Sequence, residues 1–231
     1  MKFLDREEML KNPEIVFCDN HILVVAKPAG MPTQDVDTHE QSLEQYAKQW
    51  IKKKYEKPGN VFLHAIHRLD KPVTGLVIFA RTSKALSRLQ EMQRERQIEK
   101  VYLAYVEGIL LNKKQDLVHY LYHEEFRSSI VSSSHSEGKK AELHYDVLKE
   151  NPVFSLLKIV LVTGRYHQIR CQLSAIGHPV LGDKKYGSKI PYQGVGVALF
   201  HTKVTFLHPV TKEKLTFEIP FPDERSIQNL I

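Results

Sequence analysis

The chain has 231 residues, 42% of them apolar and 26% charged, which is the composition of a globular protein long enough to bury a sizeable core. Lysine and arginine outnumber aspartate and glutamate by 33 to 27, and the net charge of +6 favours a polyanionic partner such as nucleic acid. No apolar run approaches the roughly 18 residues of a membrane-spanning helix. Residues 1–12 carry no secretory signal, and the two cysteines lack metal-ligand spacing. We therefore expect a cytoplasmic protein without a membrane partner.

The first half of the chain is predicted to contain short strands and two amphipathic helices. Apolar runs bounded by turn residues predict strands at residues 14–18, 21–26 and 76–80. Apolar residues at helical spacing predict one helix across residues 41–55 and a second helix that begins at Thr82 or Ser83 as its N-cap.

Strands dominate the second half of the chain. Strand patterns cover residues 99–110, 141–150, 154–164 and 195–209, and a helix is predicted across residues 166–179. The polar segment "SSIVSSSHSEGKK", residues 128–140, is predicted to be an exposed loop or hairpin. We therefore expect an α+β fold with a mixed, largely antiparallel sheet flanked by helices and loops. Since no linker is evident, a single domain over residues 1–231 is expected.

The segment "HAIHRLDKPVTGLVIFA", residues 64–80, places one acid, Asp70, among potential cations at the start of an apolar run. The HxxHxxD spacing that ends at Asp70 would align three metal ligands on a helix, but Pro72 disfavours the helical conformation at Lys71, so we expect no metal. By residue type alone, Asp70 caps a turn or pairs with Arg68, because most ion pairs are structural. The sequence contains no phosphate-binding loop, zinc-protease motif or nucleophile elbow.

This segment resembles the HRLDxxTSG signature of the RluA-type RNA pseudouridine synthases, with Val73-Thr74-Gly75 in the place of TSG. The resemblance continues in family order over residues 14–222. The other matching segments are "VFCDNHILVVAKPAGMPT", "EKVYLAYVEG", "GKKAELHYDVL", "LVTGRYHQIRCQLSAIGHPVLGDKKYG" and "LFHTKVTFLHPVTKEKLTFEIP". The resemblance implies the pseudouridine synthase fold, with an active-site cleft across the sheet, and an isomerase that acts on specific uridines of rRNA or tRNA.

The implied reaction detaches uracil from C1′ of the ribose and rejoins it through C5, without redox change or net hydrolysis, so neither a cofactor nor a metal is expected. It needs one carboxylate, either as a nucleophile at C1′ or as a base at C2′. By resemblance this carboxylate is Asp70, and Arg170 of "HQIR" keeps it ionised. Tyr102 of "KVYLAY" matches the family's active-site tyrosine, and an ordinary core tyrosine is the alternative.

The resemblance also implies contacts with RNA. Arg68 is expected to fill the space that a flipped uridine vacates, with an ion pair to a neighbouring acid as the alternative. Apolar walls of the uracil slot are expected at Leu69, Leu76 and Ile169. The remaining expected contacts with the RNA are His67, Lys71, Arg165 and His167, together with Arg81 and Lys100.

Many relatives carry an N-terminal S4-type RNA-binding domain. About a dozen residues precede the first predicted strand here, so we expect a monomer without a separate RNA-binding domain. The choice of target then rests on the catalytic domain itself or on partners. The alternative is a catalytically silent RNA-binding or assembly factor of the same fold. A metal-dependent hydrolase built on the HxxHxxD spacing is a third hypothesis, which predicts that chelators abolish activity.

Overall fold

The computed structural model describes residues 12–35 and 40–221, which fall into two compact units. Unit 1 contains the described residues up to Ile98 together with Thr202–Phe221, and unit 2 contains Glu99–His201. The single domain over residues 1–231 stays a prediction. Two features of the sequence analysis lie outside the described residues: residues 1–11 of the N-terminal segment, and position 222 at the end of the matching core.

The elements in chain order are β1 (Glu14–Cys18), β2 (Ile22–Lys27), α1 (Leu43–Lys54), β3 (His64–Ala65), β4 (Thr74–Ala80), α2 (Ser83–Arg94), β5 (Glu99–Glu107), β6 (Lys114–His123), β7 (Ser128–Val131), β8 (Lys139–Glu150), β9 (Phe154–Leu161), α3 (Gln168–Ala175), β10 (Leu199–Leu207) and β11 (Lys214–Glu218). None of the helices in the described part of the chain is long and apolar enough to cross a membrane. The strands and helices form the predicted α+β fold, with an open mixed sheet.

Unit 1 is organised around β2 and β4, in which every residue is buried. The two strands pair antiparallel, and β1 and β3 add antiparallel partners to β2 and β4. On the other side of β4 lies β10, which contributes its residues from Thr202 onward to this unit and pairs antiparallel with β11. Alternate residues of β2 and β4 pack with α2 and β10 in one apolar cluster, so β4 is held firmly at the centre of the unit.

Both helices of unit 1 begin at residues that cap them. The Ser42 hydroxyl accepts the Gln45 N–H at the start of α1, and the Thr82 hydroxyl accepts the Ala85 N–H at the start of α2. The two predicted helices and the predicted Thr82 cap are therefore confirmed. The buried faces of the two helices carry Leu43, Ala47, Ile51, Ala85, Leu89 and Met92.

Unit 2 is an antiparallel sheet in the order β5-β9-β8-β6-β7. Helix α3 contacts β6 and β7, and its Cys171 is buried with Leu121, Ala141 and Tyr186. A 3-10 turn, Lys184–Tyr186, follows α3 and supplies Tyr186. The sheet thus carries α3, the element that bears the predicted residues Ile169 and Arg170.

The sequence analysis did not predict β3, β6 and β11 as strands, and it predicted β7 only as part of an exposed loop or hairpin. Strand β6 buries only Leu117 and Leu121 along its ten residues, so its apolar side chains do not alternate with period two. The expectation of a hairpin at residues 128–140 is wrong, because β7 and β8 both pair with β6 and lie on opposite sides of it. Residues 132–138 form a connector that carries the chain from one side of β6 to the other, and residues 132–137 are exposed as predicted.

Candidate active site

Asp70 lies in unit 1, in the loop between β3 and β4, and it is partly buried. Residues 70–73 form a turn in which the Val73 N–H donates to the Asp70 carbonyl at 3.0 Å. The chain then enters β4, whose residues are all buried. The loop is therefore anchored at its end by a fully buried strand, and Asp70 itself stays partly exposed.

A second segment, residues 27–33 ("KPAGMPT"), fixes the backbone of this loop. The Thr33 hydroxyl donates to the Leu69 carbonyl at 2.8 Å and accepts the Leu69 N–H at 3.1 Å. The Gly30 N–H donates to the Lys71 carbonyl at 2.8 Å. Since Leu69 and Lys71 flank Asp70, these bonds fix the backbone on both sides of the residue that carries the carboxylate.

Lys27 is fully buried at the start of the same segment. Its ammonium group donates to the carbonyls of Pro28 at 2.9 Å, Met31 at 2.8 Å and Lys71 at 3.3 Å. Burial lowers the pKa of Lys27 from 10.5 to about 7, and the negative charge of Asp70 opposes this change. Asp70 therefore has a buried lysine as an electrostatic neighbour within its own unit.

The other predicted residues of unit 1 differ in exposure. Arg68 and Lys71 are exposed, and Lys71 pairs with Glu40 at 2.7 Å. Leu69 is 6% exposed, and Leu76 is fully buried in the apolar cluster of the unit. The burial of Leu76 is typical of a packing residue, and its contact with a uracil base stays a prediction.

His67 and Arg81 make structural contacts in unit 1. The His67 Nε2 atom accepts the Ile78 N–H at 3.3 Å. The Arg81 guanidinium donates to the Asp19 carbonyl and lies 4.7 Å from the centre of the Tyr55 ring. Within residues 12–35 and 40–221 no group of three or more histidines, cysteines and acids is placed to hold a metal ion. The RNA contacts of His67 and Arg81 stay predictions.

Tyr102 lies on β5 in unit 2 and is 5% exposed. Its ring stacks on the His201 imidazole, with centroids 4.5 Å apart and planes inclined by 18°. Lys100 precedes it by two residues and therefore points to the same face of β5. Burial lowers the pKa of Lys100 from 10.5 to about 8.

Arg170 forms a buried, two-pronged ion pair with Asp183. Its Nε donates to Asp183 Oδ2 at 2.6 Å and its Nη2 to Oδ1 at 2.8 Å, and the two side chains are only 5% and 1% exposed. The Tyr186 ring centre lies 5.1 Å from the guanidinium carbon. Asp183 thus fixes the orientation of Arg170, and the neutralisation of Asp70 by Arg170 stays a prediction.

The residues before Arg170 form a tightly bonded turn. His167 has a left-handed backbone (φ 52°), is 7% exposed and bonds through Nδ1 to the Tyr186 hydroxyl at 2.9 Å. The Gln168 side chain accepts the Arg165 N–H at 3.0 Å. Ile169 is buried, whereas Arg165 is exposed. Arg165 is therefore accessible to a ligand, whereas His167 is buried and makes a structural contact with Tyr186.

Lys27, Thr33 and Asp183 were missed as site residues by the sequence analysis. Asp183 left a usable signal, since it is the only acid between residues 161 and 187, a segment that contains Arg170. Lys27 and Thr33 left none, because their partners in the Asp70 loop, the backbone of Lys71 and of Leu69, lie about forty residues away, and backbone groups have no sequence signature.

A family model described as RNA pseudouridylate synthase matches residues 21–175. The chain belongs to the RNA pseudouridine synthase family. This enzyme is therefore an isomerase that acts on RNA, as the resemblance implied. The match includes Asp70, Tyr102 and Arg170, and it begins before β2 and ends with α3.

Two relatives and one solved structure illustrate the similarity of this pseudouridine synthase. It is 32% identical over 214 residues to an uncharacterized RNA pseudouridine synthase, YhcT, of Bacillus subtilis, covering 90% of this chain and 68% of the relative. It is also 32% identical to the dual-specificity RNA pseudouridine synthase RluA of Haemophilus influenzae, covering 88% and 91% of the two chains. The structure of human RNA Pseudouridylate Synthase Domain Containing 4 has a TM-score of 0.75 at 22% identity, covering 90% and 88%, which supports the fold.

We predict that Thr33→Val destabilises the pseudouridine synthase by about 1–3 kcal/mol, because it leaves the buried N–H and carbonyl of Leu69 without their partner. The free energy of unfolding in urea measures this loss. Thr33→Ser, which retains the hydroxyl, is the matched control and should lose less. A Thr33→Val protein as stable as the wild type would contradict the role of the hydroxyl bonds.

We predict that the Lys27 ammonium titrates near neutral pH and that Asp70→Asn moves the midpoint to lower pH, because the Asp70 charge raises the pKa of Lys27. NMR of ¹³Cε-labelled lysine follows the titration. Glu91→Gln, which removes an exposed carboxylate of α2 that does not contribute to the shift of the Lys27 pKa, should leave the midpoint unchanged. A midpoint that stays in place or rises in Asp70→Asn would contradict the electrostatic contact.

We predict that Asp183→Asn or Arg170→Met costs about 3–5 kcal/mol of stability, because either change leaves a buried charge without its partner. The double change Arg170→Met/Asp183→Asn removes both charges and should cost less than the sum of the two single changes. Urea unfolding of the three variants tests this. Glu150→Gln, which breaks the exposed pair with Lys113, is the control and should cost at most about 1 kcal/mol.

Proposed function

We propose that this pseudouridine synthase isomerises specific uridines in a stem-loop of rRNA or tRNA, with Asp70 as the acting carboxylate. The observation that carries this proposal is the Asp70 loop: a partly exposed acid whose backbone neighbours on both sides are bonded to residues 27–33. An enzyme must hold its reacting group in a defined position, and hydrogen bonds on both sides of Asp70 restrict the backbone that carries the carboxylate.

Asp70 starts the reaction by one of two routes. It attacks C1′ as a nucleophile, or it removes a proton from C2′ to give a glycal. The N1–C1′ bond breaks in either case, with its electron pair leaving on N1, and uracil turns so that C5 bonds to C1′. In the first route this bond displaces the Asp70 carboxylate from C1′, and in the second route Asp70 returns the proton to C2′. The product then loses the C5 proton, while N1 gains a proton. Atoms and electrons balance within the uridine, so the proposed reaction uses neither a cofactor nor a metal.

Lys27 and the other predicted residues support this carboxylate in the proposal. The negative charge of Asp70 opposes the lowering of the Lys27 pKa, so the two groups attract each other within unit 1. In the proposal Arg170, oriented by Asp183, contributes a second positive charge, and Tyr102 contacts the uracil and assists the transfer of the C5 proton. Arg68 occupies the space left by the flipped nucleotide, which suits an exposed and flexible side chain.

The rRNA or tRNA target is proposed because relatives named for each are similar to this chain. The net charge of +6 suits a polyanionic substrate. We further propose that the enzyme acts in the cytoplasm as a monomer. Both cysteines are free, which agrees with a reducing compartment.

We predict that the purified protein, in the presence of EDTA, forms pseudouridine in total RNA isolated from cells that lack this enzyme. Asp70→Asn should bind the same RNA but form no detectable pseudouridine, because an amide can neither attack C1′ nor accept the C2′ proton. Mass spectrometry of nuclease digests measures the product. Asp116→Asn, which alters an exposed acid on β6, is the matched control and should retain full activity.

Full activity of Asp70→Asn would contradict the assignment of the carboxylate. The alternative, a catalytically silent RNA-binding or assembly factor, predicts a different pattern. In that case the wild-type protein forms no pseudouridine in any RNA fraction, and Asp70→Asn restores the growth of a deletion strain as well as the wild type does.

A further inference from the structure

Unit 2 contains an open groove of about 520 Å³ that the predicted catalytic residues do not line. It lies between the end of β6, the connector 132–138 and the turn that precedes α3. Its volume falls within the range of about 300–1,000 Å³ that is typical of small-ligand sites. The residues that matter for its chemistry are Tyr122, His123, Glu137, Lys139, Arg165 and Tyr166.

One side of the groove is a preformed aromatic platform. The Tyr166 ring stacks on the buried His167 imidazole, with centroids 3.9 Å apart and planes inclined by 19°. The exposed His123 ring lies 4.2 Å from Tyr166. The Ser128 hydroxyl donates to the Tyr166 carbonyl at 2.6 Å. Because these contacts order the rings before any ligand arrives, a planar ligand that stacks there loses little entropy to side-chain ordering.

The charges beside this platform suit a phosphate. Arg165 and Lys139 are exposed, and the Arg165 Nε is anchored on the Lys140 carbonyl at 3.0 Å. Glu137 is the single acid among the residues that line the groove, so cations exceed acids there by two to one. An aromatic platform beside cations is the combination that binds single-stranded nucleic acid.

The connector 132–138 forms an ordered wall of the groove. Its His135 ring lies 5.1 Å from the Tyr122 ring of β6. A Cβ atom at Gly138 would lie 3.1 Å from Val131 and 3.2 Å from the His135 carbonyl, so glycine allows the tight path of the chain. The His135 N–H donates to the Ser132 carbonyl at 3.0 Å. The connector therefore has a defined shape at the point where its Glu137 lines the groove.

We propose that this groove binds a nucleotide of the substrate RNA other than the target uridine. The base of that nucleotide stacks on the exposed His123 ring, which Tyr166 supports, and its phosphate contacts Arg165 and Lys139. This proposal rests on the proposed function, because it takes RNA as the substrate. It adds a second RNA contact, away from the target uridine, that helps the enzyme to select its RNA. It also assigns a role to the polar segment 128–140.

Fluorescence anisotropy with 5′-labelled ten-residue oligouridylate RNA tests the groove directly. Tyr166→Ala or His123→Ala should weaken binding by about 5- to 100-fold, the loss expected for one stacked base. Tyr166→Phe retains the ring and should bind like the wild type. Arg165→Ala should reduce the slope of log Kd against log salt by about 0.7, as expected for one lost contact with a single strand.

Two matched controls lie in the same unit but do not line the groove: Tyr120→Ala on β6 and Lys158→Ala on β9. Both should bind the RNA like the wild type. Thermal unfolding identifies any variant that fails to fold. If Tyr166→Ala is unfolded, the exposed His123 carries the test. RNA binding within twofold of the wild type in His123→Ala and Arg165→Ala would overturn the proposal.

A second measurement separates this proposal from the proposed function. At saturating RNA, His123→Ala should keep the wild-type kcat of pseudouridine formation and raise KM. If the wild-type protein forms no pseudouridine, the proposed function fails, while the affinity series still tests the groove. A labelled ten-residue polyglutamate should not bind to the groove. Equal losses of polyglutamate and RNA binding in His123→Ala would also overturn the proposal, because that peptide carries charge without bases.

Discussion

A positively charged side chain in the protein interior needs hydrogen-bond acceptors or a negative charge in place of water. Each unit of this enzyme buries such a side chain in its part of the predicted site. In unit 1, Lys27 is bonded to three backbone carbonyls and lies within the electrostatic reach of Asp70. In unit 2, Arg170 is paired with Asp183 through two hydrogen bonds. An uncompensated charge in the interior costs several kcal/mol, so each cation fixes the geometry of the groups around it.

These interactions serve positioning more than stability. A buried ion pair is often no more stabilising than well-packed apolar side chains, but it allows few alternative arrangements. The same reasoning applies to Thr33, whose single hydroxyl satisfies both backbone groups of Leu69. The loop that bears Asp70 and the helix that bears Arg170 are therefore both oriented by polar contacts with other segments of their own unit.

The aromatic residues of unit 2 connect two features that serve different purposes. Tyr186 contacts Arg170 and bonds to His167, and His167 stacks on the partly buried ring of Tyr166. The left-handed backbone at His167 makes this arrangement possible, because it turns the chain from the exposed Arg165 into α3. The same packed rings therefore contact Arg170 and support the proposed RNA-binding groove.

The sequence alone predicted most of the fold, because β2, β4 and the two helices of unit 1 have strong apolar patterns and caps, and its resemblance to the pseudouridine synthases predicted the family. It did not predict β6 or the path of residues 128–140, since a strand with few buried residues has no clear period and strand order depends on partners distant in sequence. The roles of Lys27, Thr33 and Asp183 were decided only by the tertiary structure. Folding alone brings a side chain to the carbonyl, peptide or guanidinium that it binds.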